Sequence, residues 1–125
     1  MLRSSLLAYA AGGDVEALQS GAPIRPIAEI GWQPIFIQDR VDNEFTNLLE
    51  KPMYVLHWHG DRILLPKNAE LIASSRRCNE QLFKIGPSAY GLQFHLEIDD
   101  KMVLRWIEDD KQFITSALGK MVSFF

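Results

Sequence analysis

The sequence has a single cysteine, Cys78, in 125 residues. An intrachain disulfide framework is therefore excluded, and a lone thiol fits a reducing compartment, so a cytoplasmic protein is the expectation. Long apolar runs are missing too: nothing approaches the roughly 20 consecutive apolar residues that a bilayer-spanning helix needs. The opening residues, 1 to 11, combine one positive charge, a short apolar run and small residues as a secretory leader does, but the run is too short to be one. Charge of one sign is also scarce. The formal net charge is only -3, and Lys and Arg are scattered rather than striped, which leaves no footprint for a phosphate backbone and argues against nucleic acid as a partner. Without repeats or low-complexity linkers, residues 1–125 read as one unit, and a hydrophobic content of 47% suffices for a packed core.

Residues 2 to 12 suit a helix, with Leu6, Leu7 and Ala10 on one side, Gly12-Gly13 as its stop and no cap upstream. Residues 14 to 18 are too short a stretch to assign. Gly21-Ala22-Pro23 breaks the chain before an extended stretch from 24 to 37, where prolines at 23, 26 and 34 favour edge strand or loop. Residues 42 to 49 read as a short helix capped by Asp42 or Asn43 and ended by Lys51-Pro52. Strands are predicted at 53–57, 62–65, 71–74 and 90–95, with 77–84 either strand or short helix. From Asp99 the pattern turns helical, with an apolar stripe of Val103, Trp106, Ile107, Ile114, Ala117 and Leu118 broken by Asp110, and with Gly119 as its end. The carboxylates at 99, 100, 108, 109 and 110 read as caps and solvated helix faces. The apolar tail, 121 to 125, is expected to dock on the body or on another chain.

All three histidines fall in two clusters at predicted strand ends: His57-Trp58-His59-Gly60-Asp61 and Gln93-Phe94-His95-Leu96-Glu97. His95 and Glu97 are two apart, so an extended backbone projects them to one side, where a carboxylate can orient an imidazole and stabilise its protonated form. That pair is the base and orienter of a nucleophilic triad. The plainer alternative is a capped strand end with a hydrogen-bonded histidine. The H-x-H-x-D spacing of His57, His59 and Asp61 resembles the start of the metal motif of metallo-β-lactamase-like hydrolases, although Arg62 stands where that motif continues with His. Such a site could draw in His95 and Glu97 if the fold brought them near. Trp32, Phe94 and Trp106 read as core.

The segment Gly91-Leu92-Gln93-Phe94-His95-Leu96-Glu97 resembles the closing motif of class I glutamine amidotransferases, G-x-Q-F-H-P-E, with Leu96 in place of the commoner proline. Upstream, and in family order, come Glu29-Ile30-Gly31-Trp32, then His57-Trp58-His59-Gly60-Asp61, Leu65-Pro66, Ala73-Ser74-Ser75 and Cys78-Asn79-Glu80-Gln81. The ordered matches run from about residue 27 to 97 and resemble stand-alone amidotransferase-like proteins similar to the amidotransferase domain of GMP synthase. Ser5-Leu6-Leu7-Ala8 followed by Gly12-Gly13 resembles the helix after the family's nucleophile elbow, G-x-C-x-G-x-Q. That alignment sets Met1 at the place of the nucleophilic cysteine.

The resemblance implies a three-layer, flavodoxin-like α/β fold, N-terminally truncated, with a mixed sheet, a small antiparallel addition and a terminal helix. It also implies hydrolysis of the glutamine side-chain amide to glutamate and ammonia by a Cys-His-Glu triad, of which this chain holds His95 and Glu97. Trp58, His59 and Gly60 would lie beside the glutamine pocket, and no metal or cofactor is implied. Without a thiolate the chain alone is expected to be inactive, the cysteine coming from upstream or from a separate polypeptide. Cys78 could be made reactive by Arg76 and Arg77, but its position matches a non-catalytic cysteine of the same proteins. A non-catalytic remnant or interaction module is the alternative, with a metal-dependent hydrolase behind it. Lacking the family's early strands, the chain is expected to leave apolar surface for a second copy or a complementing chain, each exposed large side chain forfeiting about 1.5–3 kcal/mol of burial.

Overall fold

The computed structural model describes residues 2–38 and 52–118. The residues that would carry the 42–49 helix, the Gly119 stop, the apolar tail and the nucleophile position at Met1 lie outside that range.

The first element, α1 (Leu2–Ala10), buries Ser4 and Ala8 and lays Leu7 against Ile63 and Phe83. The predicted side of Leu6 and Ala10 is instead turned outward, Leu6 being 57% exposed. The two glycines then do different things. Gly12 takes φ +96°, the left-handed conformation that stops a helix, and Gly13 donates to the Ala8 carbonyl at 2.8 Å. A side chain on Gly13 would collide with the Leu64 carbonyl and the Pro66 ring.

That stop turns the chain into β1 (Asp14–Ala17), followed by a small hairpin of β2 (Gln19–Ser20) and β3 (Arg25–Pro26). The main strands are β4 (Glu29–Ile37), β5 (Met53–His59), β7 (Ala69–Ser74), β8 (Leu82–Ile85) and β9 (Ala89–Leu92), in spatial order β5-β4-β7-β8-β9. Between them β6 (Asp61–Leu64) pairs with β1. All ladders among the described residues are antiparallel.

Strand β4 is interior rather than the edge its prolines predict. It pairs with β5 from Glu29 to Ile35 but with β7 only at Phe36 and Ile37, so among the described residues Pro34 has a ladder on one side alone. A residue without an N–H is tolerated there for the same reason it is tolerated at an edge.

The β4–β5 register sets Glu29 opposite His59, Gly31 opposite His57 and Ile30 opposite Trp58. Side chains of directly paired residues share a face, and successive residues alternate. Glu29, His57 and His59 therefore lie on one face and Ile30 and Trp58 on the other, while Gly31 leaves space opposite the His57 ring.

On the Trp58 face pack α2 (Asp100–Asp109) and α3 (Lys111–Leu118), through Trp106, Ile107, Phe113 and Ile114. Asp99 caps α2 as its sequence predicts, accepting from the Met102 N–H at 2.9 Å. Asp110 ends it and accepts the Trp58 indole N–H at 2.9 Å, so it is a partner for a buried donor rather than a solvated face. The remaining core gathers Ile35, Val55, Ile72, Ala73, Leu82 and Phe94 between strands. Among the described residues no helix is long and apolar enough to cross a membrane.

Candidate active site

β9 ends at Leu92, short of the predicted residue 95, and the chain bends at Gln93 and Phe94 before His95 forms a single antiparallel bridge with Leu56, its N–H donating to the Leu56 carbonyl at 2.9 Å. The imidazole is mostly buried, edge-on to Trp106 with ring centres 4.9 Å apart. Its Nδ1 lies 2.8 Å from Glu97 Oε1. The spacing of two thus brings the pair together as the sequence predicts, although the backbone bends at residues 96 and 97. The bend lets the Leu96 N–H donate to Glu97 Oε2 at 3.0 Å, a bond that proline at this position could not make. Desolvation pushes the Glu97 carboxyl up, but the His95 hydrogen bond and the backbone N–H groups outweigh it and hold the group below its ordinary range.

In the other cluster the three residues expected beside the pocket go three ways. Trp58 is buried, tied to Asp110 and packed edge-on against Trp106 at 5.5 Å, which makes it part of the support behind His95. His59 is fully buried on the opposite face. Gly60 alone lines an open cleft of about 890 Å³, with Gln19, Ile27, Arg77 and Phe113.

The inward face of β5 holds a second constellation, whose carboxylate is not the one that the H-x-H-x-D spacing suggests. The Asp61 side chain is exposed, and its carbonyl faces His59 Nδ1 at 2.8 Å. Glu29 takes the acidic role: His59 Nε2 is 3.4 Å from Oε1, and His57 Nδ1 is 3.8 Å from Oε2. Ser75 donates to both oxygens at 2.7 and 2.8 Å, and Gln81 Nε2 donates to Oε1 at 2.8 Å. Burial pushes the Glu29 carboxyl up, but its contacts with His59 and Ser75 and the closeness of His57 bring it below its usual value. Burial pushes His57 down, more than the neighbouring carboxylate raises it. Glu29 stands out in sequence only within Glu29-Ile30-Gly31-Trp32; its place opposite His59 becomes visible once the strand register is known.

Cys78 is buried, its Sγ 3.7 Å from Glu80 Oε2, and burial beside that carboxylate pushes the thiol up to about 12. The arginines that could have activated it are occupied, Arg76 over the Phe36 ring and Arg77 on the Ala28 carbonyl. Glu80 itself pairs with Arg62.

Comparison with known proteins finds relatives of this fold. No family profile matches the chain. It is 31% identical over 106 residues to YfeJ of Salmonella typhimurium, a glutamine amidotransferase-like protein, covering 84% of this chain and 44% of that protein. Among solved structures, a glutamine amidotransferase from Thermotoga maritima superposes with a TM-score of 0.74 at 32% identity, over 90% of this chain and 45% of its own length. A glutamine amidotransferase from Methylobacillus flagellatus gives 0.76 at 26% identity, over 94% of this chain and 45% of its own. By sequence and by fold the chain is similar to class I glutamine amidotransferases, and it spans a little under half the length of the relatives it matches.

Proposed function

We propose that this chain supplies the base and its orienter for hydrolysis of the glutamine side-chain amide, His95 and Glu97, to a site whose nucleophilic cysteine is carried on polypeptide other than these residues. The observation that carries the reading is the 2.8 Å approach of His95 Nδ1 to Glu97 Oε1. With Nδ1–H donated to the carboxylate, the neutral ring keeps its lone pair on Nε2, the tautomer a general base requires. His95 then takes the thiol proton as sulfur attacks the amide carbon and returns it to nitrogen as the tetrahedral adduct collapses to the thioester and ammonia leaves; water, deprotonated by the same base, then cleaves the thioester to glutamate and the free thiol. Glu97 stabilises the imidazolium between those steps. Cys78 does not fill the nucleophile's role, because a thiol held near 12 is almost wholly protonated at neutral pH.

The same reading assigns the apolar surface a cover. Trp32 and Tyr54 share the β4–β5 face that carries Trp58, yet are 44% and 64% exposed, and Leu6 and Tyr9 of α1 are exposed as well. A complementing chain or a second copy is the partner that would bury them.

Ammonia release from glutamine tests the function, comparing this chain with a version joined to a class I cysteine elbow. Release by the joined version only is expected, falling by roughly 10²–10⁴-fold in His95→Ala, the usual worth of a positioned base. Release by the short chain that survives Cys78→Ala would remove the thiolate mechanism. A joined version that folds and stays inert would leave a non-catalytic module.

A further inference from the structure

The Glu29 cluster has one acceptor too many. Ring nitrogens that face a backbone carbonyl must carry a proton to bond it: His59 Nδ1 faces the Asp61 carbonyl at 2.8 Å, and His57 Nε2 faces the Gln33 carbonyl at 3.2 Å. In neutral imidazoles the opposite nitrogens, His59 Nε2 and His57 Nδ1, then hold lone pairs, and both face the Glu29 carboxylate. Gln81 Nε2 lies 3.3 Å from His59 Nε2 and offers it a shared donor. Among the described residues, the fully buried His57 Nδ1 has no hydrogen-bond partner, nor does the buried Gln81 Oε1 of the same cluster. Interiors rarely leave such groups unmatched, because each costs roughly 1–3 kcal/mol. Two lone pairs and a carboxylate converging on one another lack a cation.

We infer that Glu29, His57 and His59 form a binding site for a divalent transition-metal ion, zinc by the chemistry of the donors. One atom from each residue can be chosen so that all three lie within 4.8 Å of one another. Zinc bonds of about 2.0–2.1 Å in a tetrahedron set neighbouring donors roughly 3.3 Å apart, so the 3.4 Å His59–Glu29 separation already fits. The 3.8 Å His57–Glu29 separation needs to close by a few tenths of an ångström. The outer contacts also match: a metal-bound histidine donates its other N–H to a carbonyl or carboxylate, as both rings do here. A half-turn of the Gln81 amide would bring its unpartnered oxygen round as a fourth donor. A cavity of about 310 Å³ lined by Glu29, Gln33, Ser75, Arg76 and Arg77 reaches the carboxylate.

Complete burial of both rings keeps substrate from the ion, so its role is to fix β4 against β5 and not to hydrolyse anything. The site is separate from His95 and Glu97, and its occupancy stands or falls independently of ammonia release.

The test is titration of the full chain, stripped with a chelator, with Zn²⁺ and with Co²⁺. One equivalent of zinc retained through gel filtration is expected, with the intense visible absorption of tetrahedral Co²⁺ and shifts of the His57 Nδ1 and His59 Nε2 nitrogen resonances in the unaltered protein. His57→Gln should lose roughly 100-fold or more in zinc affinity. Asp61→Asn should bind as the parent does, since that carboxylate is outside the cluster. Should His57→Gln fail to fold, the nitrogen shifts decide alone. No retained zinc, a Co²⁺ spectrum that stays that of the free ion, or a proton found on His57 Nδ1 at neutral pH in the presence of zinc would each overturn the site.

Discussion

Two histidine–carboxylate constellations flank neighbouring positions of one strand, and they are built for opposite ends. His95 bridges Leu56 at the rim, where its partner Glu97 is 64% exposed. His57, the next residue along β5, is fully enclosed, and its partner Glu29 has a side chain only 4% exposed. At the rim, water competes with the His95–Glu97 bond and screens it, so the geometry contributes little to stability and leaves the pair within reach of groups from outside. In the interior every lone pair must find a donor or a cation and every N–H an acceptor: Ser75 and Gln81 donate to Glu29, and two backbone carbonyls accept from the rings. Identical residue types thus yield a candidate catalytic pair in one place and a structural or ion-binding node in the other, and solvent access is the difference.

Removing each carboxylate should separate the two most sharply. Glu29→Leu removes the acceptor that the buried Ser75 hydroxyl and Gln81 amide share, at about 1–3 kcal/mol in all because both keep weaker partners, whereas Glu97→Leu should stay within about 0.5 kcal/mol as an exposed change. Urea unfolding checks this: a large fall in midpoint with unchanged slope for the first, almost none for the second. Alkylation of Cys78 gives an independent reading, because a buried thiol held near 12 reacts only when the fold opens. The rate should rise markedly in Glu29→Leu and hardly at all in Glu97→Leu. Equal losses in the two variants would mean that the interior cluster is not the stabilising one.

The approach to the rim pair rests on a different constraint, Gly91. A Cβ at that position would fall within the Phe83 ring, which is fully buried between β8 and α1 neighbours. Gly91→Ala should cost about 1–3 kcal/mol by overpacking. Adding Phe83→Leu should recover part of that loss, a non-additivity that a double-mutant cycle measures. Simple addition of the two losses would show that the glycine is needed for some reason other than room for the ring.

Much of this was legible in the sequence, and the misses share a cause. The strands over residues 53–57, 62–65 and 71–74, the Asp99 cap and the His95–Glu97 pair follow from local periodicity and spacing, so they emerge within a residue or two of where they lie. What failed depended on contacts distant in the chain. Pro34 is admitted to an interior strand because β7 stops pairing short of it, and Asp110 is held by an indole 52 positions away. Glu29 reaches His59 through a register that no local pattern sets, which is why Asp61, the sequence neighbour, looked like the acid. On α1, period alone favoured Leu6, whereas the surface actually available to cover is met by Ser4, Leu7 and Ala8.

Trp58→Phe probes the wall between the two constellations. It removes one donor, the indole N–H on Asp110, and keeps most of the ring, so a loss of about 1 kcal/mol is expected. Because Trp58 backs Trp106 and Trp106 backs His95, the His95 ring resonances should move while the His57 resonances, on the other face of β5, should not. Movement of both sets alike would mean that the strand transmits the change and the two faces are not separate.

The smallest effect is expected from the one position where the closing motif departs from its family form. The Leu96 N–H is one of the donors that hold the Glu97 carboxyl below its ordinary range, and Leu96→Pro deletes that donor while suiting the extended backbone of His95 before it. A carboxyl whose folded pKa is depressed contributes stability above its unfolded pKa, and that contribution is lost as pH falls through the folded value. Leu96→Pro should therefore raise the Glu97 titration midpoint and shrink the acid-side window over which the contribution fades, with the midpoint followed by carbon NMR of the carboxyl. The His95–Glu97 bond remains, so the midpoint should stay below that of Glu97 paired with His95→Ala in the otherwise unchanged chain. A midpoint indifferent to Leu96→Pro would assign the whole depression to the imidazole and make the Leu96 bond incidental to the pair.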